Sequence, residues 1–375
     1  STQKILAEAF DRNYSLITLY RHLKNAIAAD LQTIFQTALI SFVSSKFFPE
    51  GLRLVFYDVT TMYFESVVKK GLRDFGFSKD NKNTTTQIVV GLVVNSQGFP
   101  LYFDVFSGST FEGHTFLPII KNVQKLLNNP DLVVIADAAM ISQGNIDSLV
   151  ANNLGFVVGA RLANLPHDLI NIISAKLSKQ DGKIDVFEYK NQRLICQYSD
   201  KRAAKDKSDR LKQIAKAEIA ANSPSKLANR FRFLKTQSTT AGINLELVSK
   251  AEKLEGIKGY LTNTQLEPSL VIDRYHDLWR VEKAFRITKS DLEARPIFHR
   301  LDETIKAHLV IVFAALAVSR YLEIQTGLSI QKIVDTGSKL LTHKLENSVT
   351  GETNLTETVI QNPEDLKIIT KLKNF

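Results

Sequence analysis

The chain has 375 residues, 44% of them hydrophobic and 23% charged, enough to bury one or two cores and inconsistent with wholesale disorder. Its single cysteine, Cys196, excludes an internal disulfide framework and a cysteine-based zinc site. The net charge of +9 favours a polyanionic partner without naming one; the stretch Lys179–Lys235, with 15 Lys and Arg against 7 Asp and Glu, holds most of the excess, either as an electrostatic footprint or as a solvated helix face.

Residues 1–50 read as helices, with Leu16, Leu19, Leu23 and Ile27, then Leu31, Ile34, Ala38 and Phe42, at three- and four-residue spacing. A turn is expected at Phe47–Gly51. The pattern then changes to strands: Leu52–Phe64 is β-branched and aromatic, Ile88–Asn95 is a second strand, and Pro100–Phe106 pairs back through Ser96-Gln97-Gly98. Thr115–Leu127 is helical, Leu132–Ala136 is a continuous apolar run suited to a covered parallel strand, Ser142–Asn152 is a helix and Phe156–Ala160 another buried strand. Three antiparallel strands followed by helix, strand, helix, strand predict an α/β fold, a ribonuclease-H-like mixed sheet flanked by helices.

From 166 to 270 a strand-like patch (Ile184–Tyr198), a charged helix (Lys201–Ala221), a break at Ser223-Pro224-Ser225 and more strand-like sequence to Leu261 predict a strand-rich insertion subdomain. Helix returns over Ile272–Ser290 and, after Arg295-Pro296, over Asp302–Gln325. The expected division is therefore 1–50 N-terminal helical segment, 51–165 first part of a core, 166–270 insertion, 271–345 second part, and 346–375 a polar tail with a short helix. The residues given show no leader-like pattern of a basic start and an apolar middle, and the apolar run around His308–Val318 is too short for a bilayer, so the expectation is a soluble cytoplasmic protein with no membrane partner.

Three acids need explaining. Asp58 lies inside an apolar strand, where a buried charge costs several kcal/mol unless it is paired or metal-bound; an Arg or backbone N–H groups could equally satisfy it. Asp137 ends an apolar strand, the usual side for ligands in open sheets, and also suits a helix N-cap. Glu282 lies in a helical stretch where, at about 100° per residue, Tyr275 and Lys289 return to within about 20° of it and Arg286 to about 40°; a surface pair of Glu282 with Arg286 is the plain alternative. Together, three carboxylates can hold two Mg²⁺ ions about 3.5–4 Å apart for phosphodiester chemistry, with oxygen ligands and no need for His or Cys.

The segments YDVTTMYFES (57–66), VVGLVVNSQGFPLYFDVFSGST (89–110), VVIADAAMIS (133–142), YSDKRAAKDKSDR (198–210), GIKGYLTN (256–263) and YHDLWRVEKAFRITKSDLEARPIFHR (275–300) resemble DDE transposases of bacterial insertion sequences, from the branch with a Tyr-Arg-Glu-Lys signature. The resemblance runs from about 15 to 340 and is most specific in the last segment. It implies Asp58, Asp137 and Glu282 as catalytic, metal-holding carboxylates, Mg²⁺ or Mn²⁺ as cofactor, and Thr60, Tyr275, Arg286 and Lys289 on the DNA side. It also implies transposon ends and target DNA as partners, a homodimer that pairs two ends, and a place at the bacterial nucleoid. The signature's Arg position is Leu278 here, a departure that bears on one phosphate contact and not on the three carboxylates. Relatives carry an N-terminal DNA-binding domain for which residues 1–50 are too short.

Other features point to structure. Cys196 reads as a small core residue, the only Trp, Trp279, as core, and His114, His276 and His299 as structural or surface groups. Gly91, Gly98, Gly108 and Gly113 form no phosphate loop. The expected activity is metal-dependent strand cleavage at transposon ends and 3′-hydroxyl strand transfer. A catalytically silent DNA-binding derivative and a ribonuclease-H-like nuclease of other purpose are the alternatives.

Overall fold

The computed structural model describes residues 3, 6–7, 10–47, 52–78, 84–129, 131–140, 142–221, 231–237, 240–339, 342–346, 353–357 and 362–373. The expected turn over 48–51, the break at Ser223-Pro224-Ser225 and parts of the tail lie outside them. Ser15 accepts the Thr18 N–H and starts helix α1 (Leu16–Ala28), followed by α2 (Leu31–Phe47). Next come β1 (Leu54–Tyr63), β2 (Gln87–Asn95), β3 (Pro100–Ser107), α3 (Glu112–Leu127), β4 (Val133–Ala136), α4 (Gln143–Ala151) and β5 (Gly155–Ala160), in the order expected of a ribonuclease-H-like core. They are followed by α5 (His167–Leu177), β6 (Ile184–Tyr189), β7 (Gln192–Tyr198), α6 (Asp200–Ala221), β8 (Leu234–Gln237), β9 (Thr240–Ile243), α7 (Leu245–Lys253) and β10 (Ile257–Thr262). The C-terminal part holds α8 (Pro268–His276), α9 (Trp279–Arg286), a π-helical turn (Ile287–Asp291), α10 (Asp302–Thr326), α11 (Ile330–Gly337), the hairpin β11 (Thr342–Glu346)–β12 (Thr353–Glu357) and α12 (Pro363–Lys373).

The chain divides into two compact units, residues 1–129 with 279–375, and residues 130–278. In the first, β1, β2 and β3 form an antiparallel meander in the order β3-β2-β1, with Asp58 opposite Leu92 and Leu92 opposite Phe103. Side chains alternate across a strand, so the meander has two faces with separate covers. On one, Tyr57 and Gly91 meet α3: the Tyr57 hydroxyl lies 2.5 Å from that of Thr115, and a Cβ on Gly91 would collide with Ile119. On the other, Met62, Val90, Leu92 and Phe103 meet Phe285 and Thr288 from the α9 region and Leu309, Val312, Phe313 and Leu316 of α10. Only about 20 Å³ stays open among them, and the Phe103 and Phe313 rings are 4.6 Å apart. Truncating Phe313 to Ala is expected to cost about 3–5 kcal/mol, measured by urea unfolding; a loss below 1 kcal/mol would mean that this face does not organise the unit.

Helix α10 is long and apolar enough to cross a membrane by length and composition, since its 25 residues extend beyond the apolar run seen in the sequence. Its inner face is buried in the unit, and that face includes Arg320 and Glu323.

In the second unit β4 and β5 are parallel, β10 runs antiparallel to both β5 and β7, and β6 closes the order β4-β5-β10-β7-β6. The strands expected to form an insertion of their own therefore complete the sheet begun by β4 and β5. Two helices in this region are departures from the sequence reading. Leu245–Lys253, expected as strand, is a helix capped by the Asn244 side chain, which accepts the Leu247 N–H. His167–Leu177 was not anticipated; it buries Ile170, Ile173 and Leu177 at three- and four-residue spacing. Cys196 is fully buried, and that burial pushes its thiol up to about 12, as befits an inert core residue.

Candidate active site

Asp58 sits mid-strand in β1, half-buried, between fully buried Tyr57 and Val59. It shares a strand face with Thr60 and Met62, the face that α9 covers. Thr60 is buried. The neighbouring Tyr57 hydroxyl is pushed well above the ordinary tyrosine range, first by burial and then, after its Thr115 bond opposes this, by the charge of Asp58.

Glu282 is exposed on α9, a helix that packs on β1 and β2 through Val281, Ala284 and Phe285. Glu282 precedes Phe285 by three residues, about 60° round the helix, so it sits at the rim of the buried face on the same side of the meander as Asp58. The residue after it fixes the helix. Lys283 Nζ donates to Glu323 Oε2 at 2.8 Å, and Arg320 pairs with the same oxygen. Arg320 also donates to the Gly98 and Gln97 carbonyls at 3.0 and 2.7 Å. Burial raises the Glu323 pKa, but Lys283, the Ile330 N–H and Arg320 outweigh it and hold the carboxyl below the ordinary glutamate range.

The single helix expected over Ile272–Ser290 is broken. α8 ends at His276, α9 begins at Trp279, and the backbone widens into a π-helical turn after Arg286. Tyr275 and Lys289 thus lie outside the regular helix that carries Glu282, and of the groups expected on one face with it Arg286 stays on that helix. Arg286 is exposed, four residues from Glu282 within α9, and Lys289 is half-exposed in the π-turn. Trp279 is 50% exposed, with the Arg280 guanidinium over its ring, and is not the core residue expected: Val281, Ala284 and Phe285 occupy the inner face. Leu278 is buried, an apolar anchor where the signature has Arg.

Asp137 follows β4 directly and is exposed. Its Oδ1 accepts the Ala138 N–H at 2.7 Å and the Tyr275 hydroxyl at 2.8 Å. It does not cap α4; Ser142 does, by accepting the Asn145 N–H. Tyr275 is buried on α8, with its ring 5.0 Å from that of Tyr260. Burial and the Asp137 carboxylate push its hydroxyl pKa far up, so it stays a donor. Gly159 of β5 makes the approach feasible, because a Cβ there would lie 2.6 Å from the Tyr275 hydroxyl and 3.2 Å from the Ala138 Cβ. Lys258 of β10 places its ammonium 4.5 Å from the centre of the Tyr275 ring. Burial, then neighbouring Arg202, holds the Lys258 pKa below the ordinary lysine value, against the pull of Asp137. Gly159, Lys258 and Arg202 escaped the sequence reading. The signals were a lone Lys in the apolar strand GIKGYLTN and a Gly in FVVGA.

Asp58 and Glu282 thus belong to the first unit and Asp137 to the second. Among the described residues no three His, Cys, Asp or Glu side chains are gathered as a metal-holding group. The donors themselves, carboxylates that are exposed or half-buried, are of the hard oxygen type that Mg²⁺ and Mn²⁺ take.

The sequence matches the family of transposase DDE domains over residues 49–318. No curated protein matches it. Among solved structures, a piggyBac transposase in a synaptic complex with hairpin DNA is similar over 75% of this chain and 50% of its own, with 10% identity and a TM-score of 0.44. Mos1 transposase in a paired-end complex with the left transposon end is similar over 42% of this chain and 53% of its own, with 14% identity and a TM-score of 0.21. The chain therefore spans about half the length of either.

Proposed function

This chain belongs to the transposase DDE domain family, and on that footing we propose that it cleaves DNA strands at transposon ends and joins the freed 3′-hydroxyl to target DNA. Asp58, Asp137 and Glu282 would hold divalent cations, Mg²⁺ or Mn²⁺. Such ions supply Lewis-acid stabilisation of the charge that builds on oxygen around phosphorus. The protein's own groups hold the frame. Tyr275 fixes Oδ1 of Asp137 and leaves the second oxygen with no hydrogen bond among the described residues, while Lys283, Glu323 and Arg320 fix the helix that carries Glu282. Arg286 and Lys289, at and beyond the end of that helix, would meet phosphate oxygens, as would the basic stretch Lys179–Lys235. A homodimer pairing two ends, at the bacterial nucleoid, completes the reading.

The observation that carries the proposal is the exposed Asp137 carboxylate at a strand end, held by a buried tyrosine that a glycine admits. The test is incubation with a labelled terminal inverted repeat and a target plasmid, with Mg²⁺ or Mn²⁺. Nicked ends and strand-transfer products are expected. DNA bound and left intact would identify a silent binding protein, and nicking without joining would identify a nuclease of other purpose. The frame around Asp137 makes a further prediction. Gly159→Ala should displace the Tyr275 hydroxyl and lower nicking about 10–100-fold, the scale seen when support around a metal ligand is disturbed. Wild-type rates in this variant would remove Tyr275 from the support of Asp137.

A further inference from the structure

A cavity of about 460 Å³ opens in the second unit beside Asp137, lined by Tyr275, Lys258, Arg202, Arg210 and Arg232 among others. Its cations are not equally engaged. Arg210 is 10% exposed and is taken up by Glu255 at 2.6 Å and Glu252 at 3.3 Å. Arg202 pairs with Asp206 Oδ2 through Nε at 3.4 Å, and that oxygen also accepts the Gly256 N–H; the guanidinium makes no hydrogen bond among the described residues. Lys258 has no carboxylate in ion-pair range among the described residues, and its contacts are the faces of the Tyr275 and Tyr260 rings. Two like charges are thus held near each other on one wall, one of them half-buried and kept from swinging away by two aromatic rings. Such a pair is stabilised by an anion between them, and it lies next to the acid proposed to work on phosphodiesters.

We propose that Lys258 and Arg202 bind a backbone phosphate of a DNA strand in this cavity, holding the strand alongside Asp137. Two cations side by side match phosphate oxygens, so the contact is to the backbone and independent of sequence. This inference rests on the DNA reading above, but its test does not depend on cleavage.

The experiment measures binding of the full chain to a fluorescent duplex with a single-stranded overhang, without divalent metal, at 50–200 mM salt. Lys258→Met and, separately, Arg202→Ala are compared with wild type and with Lys253→Met, which removes the same charge from a surface lysine bonded to Asn171. Thermal melts check folding, and Arg202, 46% exposed, is the variant least able to disturb it. Each cavity variant is expected to lower the slope of log affinity against log salt by about 0.7–0.9, one phosphate contact, while Lys253→Met leaves it unchanged. Lys258→Arg should restore the slope. Equal slopes in all variants, or an equal loss in Lys253→Met, overturns the proposal. So does displacement of DNA by inorganic phosphate beyond the effect of sulfate at equal ionic strength, lost in Lys258→Met, which would assign the site to a free anion. If wild type never nicks DNA but the slope change appears, the transposase reading fails and the phosphate site stands.

Discussion

Asp58→Ala and Asp137→Asn should each lower DNA nicking and strand transfer on the order of 10³-fold, the scale of removing a principal electrostatic group from a phosphoryl or acyl transfer site. The Asn variant is the sharper test. The side-chain oxygen that accepts the Ala138 N–H and the Tyr275 hydroxyl is kept, and only the negative charge and its affinity for cations are lost. Asp137 is exposed, so Asp137→Asn should change thermal stability by no more than about 1 kcal/mol. Cleavage assays with Mg²⁺ and Mn²⁺, run beside melts, separate the two effects. Retention of a tenth or more of wild-type cleavage in Asp137→Asn would take that acid out of the chemistry.

The second large effect is on folding. Glu323→Ala should destabilise the first unit by about 3–5 kcal/mol, because it leaves Arg320, 6% exposed, and Lys283 without their shared carboxylate. Glu323→Gln keeps the shape and should cost less. The sign with pH follows from the direction of the shift. The Glu323 carboxyl is held below the ordinary glutamate value in the folded state, so its contribution is present above that value and is lost as pH falls through the depressed one. Asp365, lowered chiefly by its bond to Lys339, acts in the same direction. Melting temperature should therefore fall in acid below the ordinary carboxylate range, and fall less steeply in Glu323→Gln than in wild type. Identical acid profiles would show that the pair with Arg320 is not a source of stability. Cleavage by Glu323→Ala should also drop, since Lys283 anchors the helix one residue from Glu282.

How much of this was legible beforehand depended on range. Local patterns sufficed for β1 to β5, because alternation and apolar runs mark strands, and they singled out Asp58 and Asp137, because a carboxylate in or at the end of an apolar strand calls for an explanation; Glu282, on a helix, drew notice from its helical neighbours and from the family resemblance. The break at Asp277-Leu278 was not legible. Neither residue is a Gly or Pro, and the apolar spacing continues across it, so one helix was read where two exist. Leu245–Lys253 had its signal in Asn244, a capping residue, but short apolar stretches there resembled a strand. The pairing of β10 with β5 could not be read locally, since Gly259 meets Ala160 about a hundred residues earlier. Lys258 was overlooked because a single Lys in a strand ordinarily points to solvent; its meaning came from Tyr275 and Arg202, which only the fold brings to it.

That long pairing has a consequence for synthesis. β5 leaves the ribosome with one edge matched to β4 and the other open until β10 arrives. At about 5–20 residues per second the wait lasts roughly 5–20 s. During that window the nascent chain presents an unpaired, apolar strand edge, the kind of surface that recruits neighbouring polypeptides. Slow decoding between α5 and α7 would lengthen the exposure, and yield of soluble protein should respond to synonymous codon choice there more than in any stretch after β10.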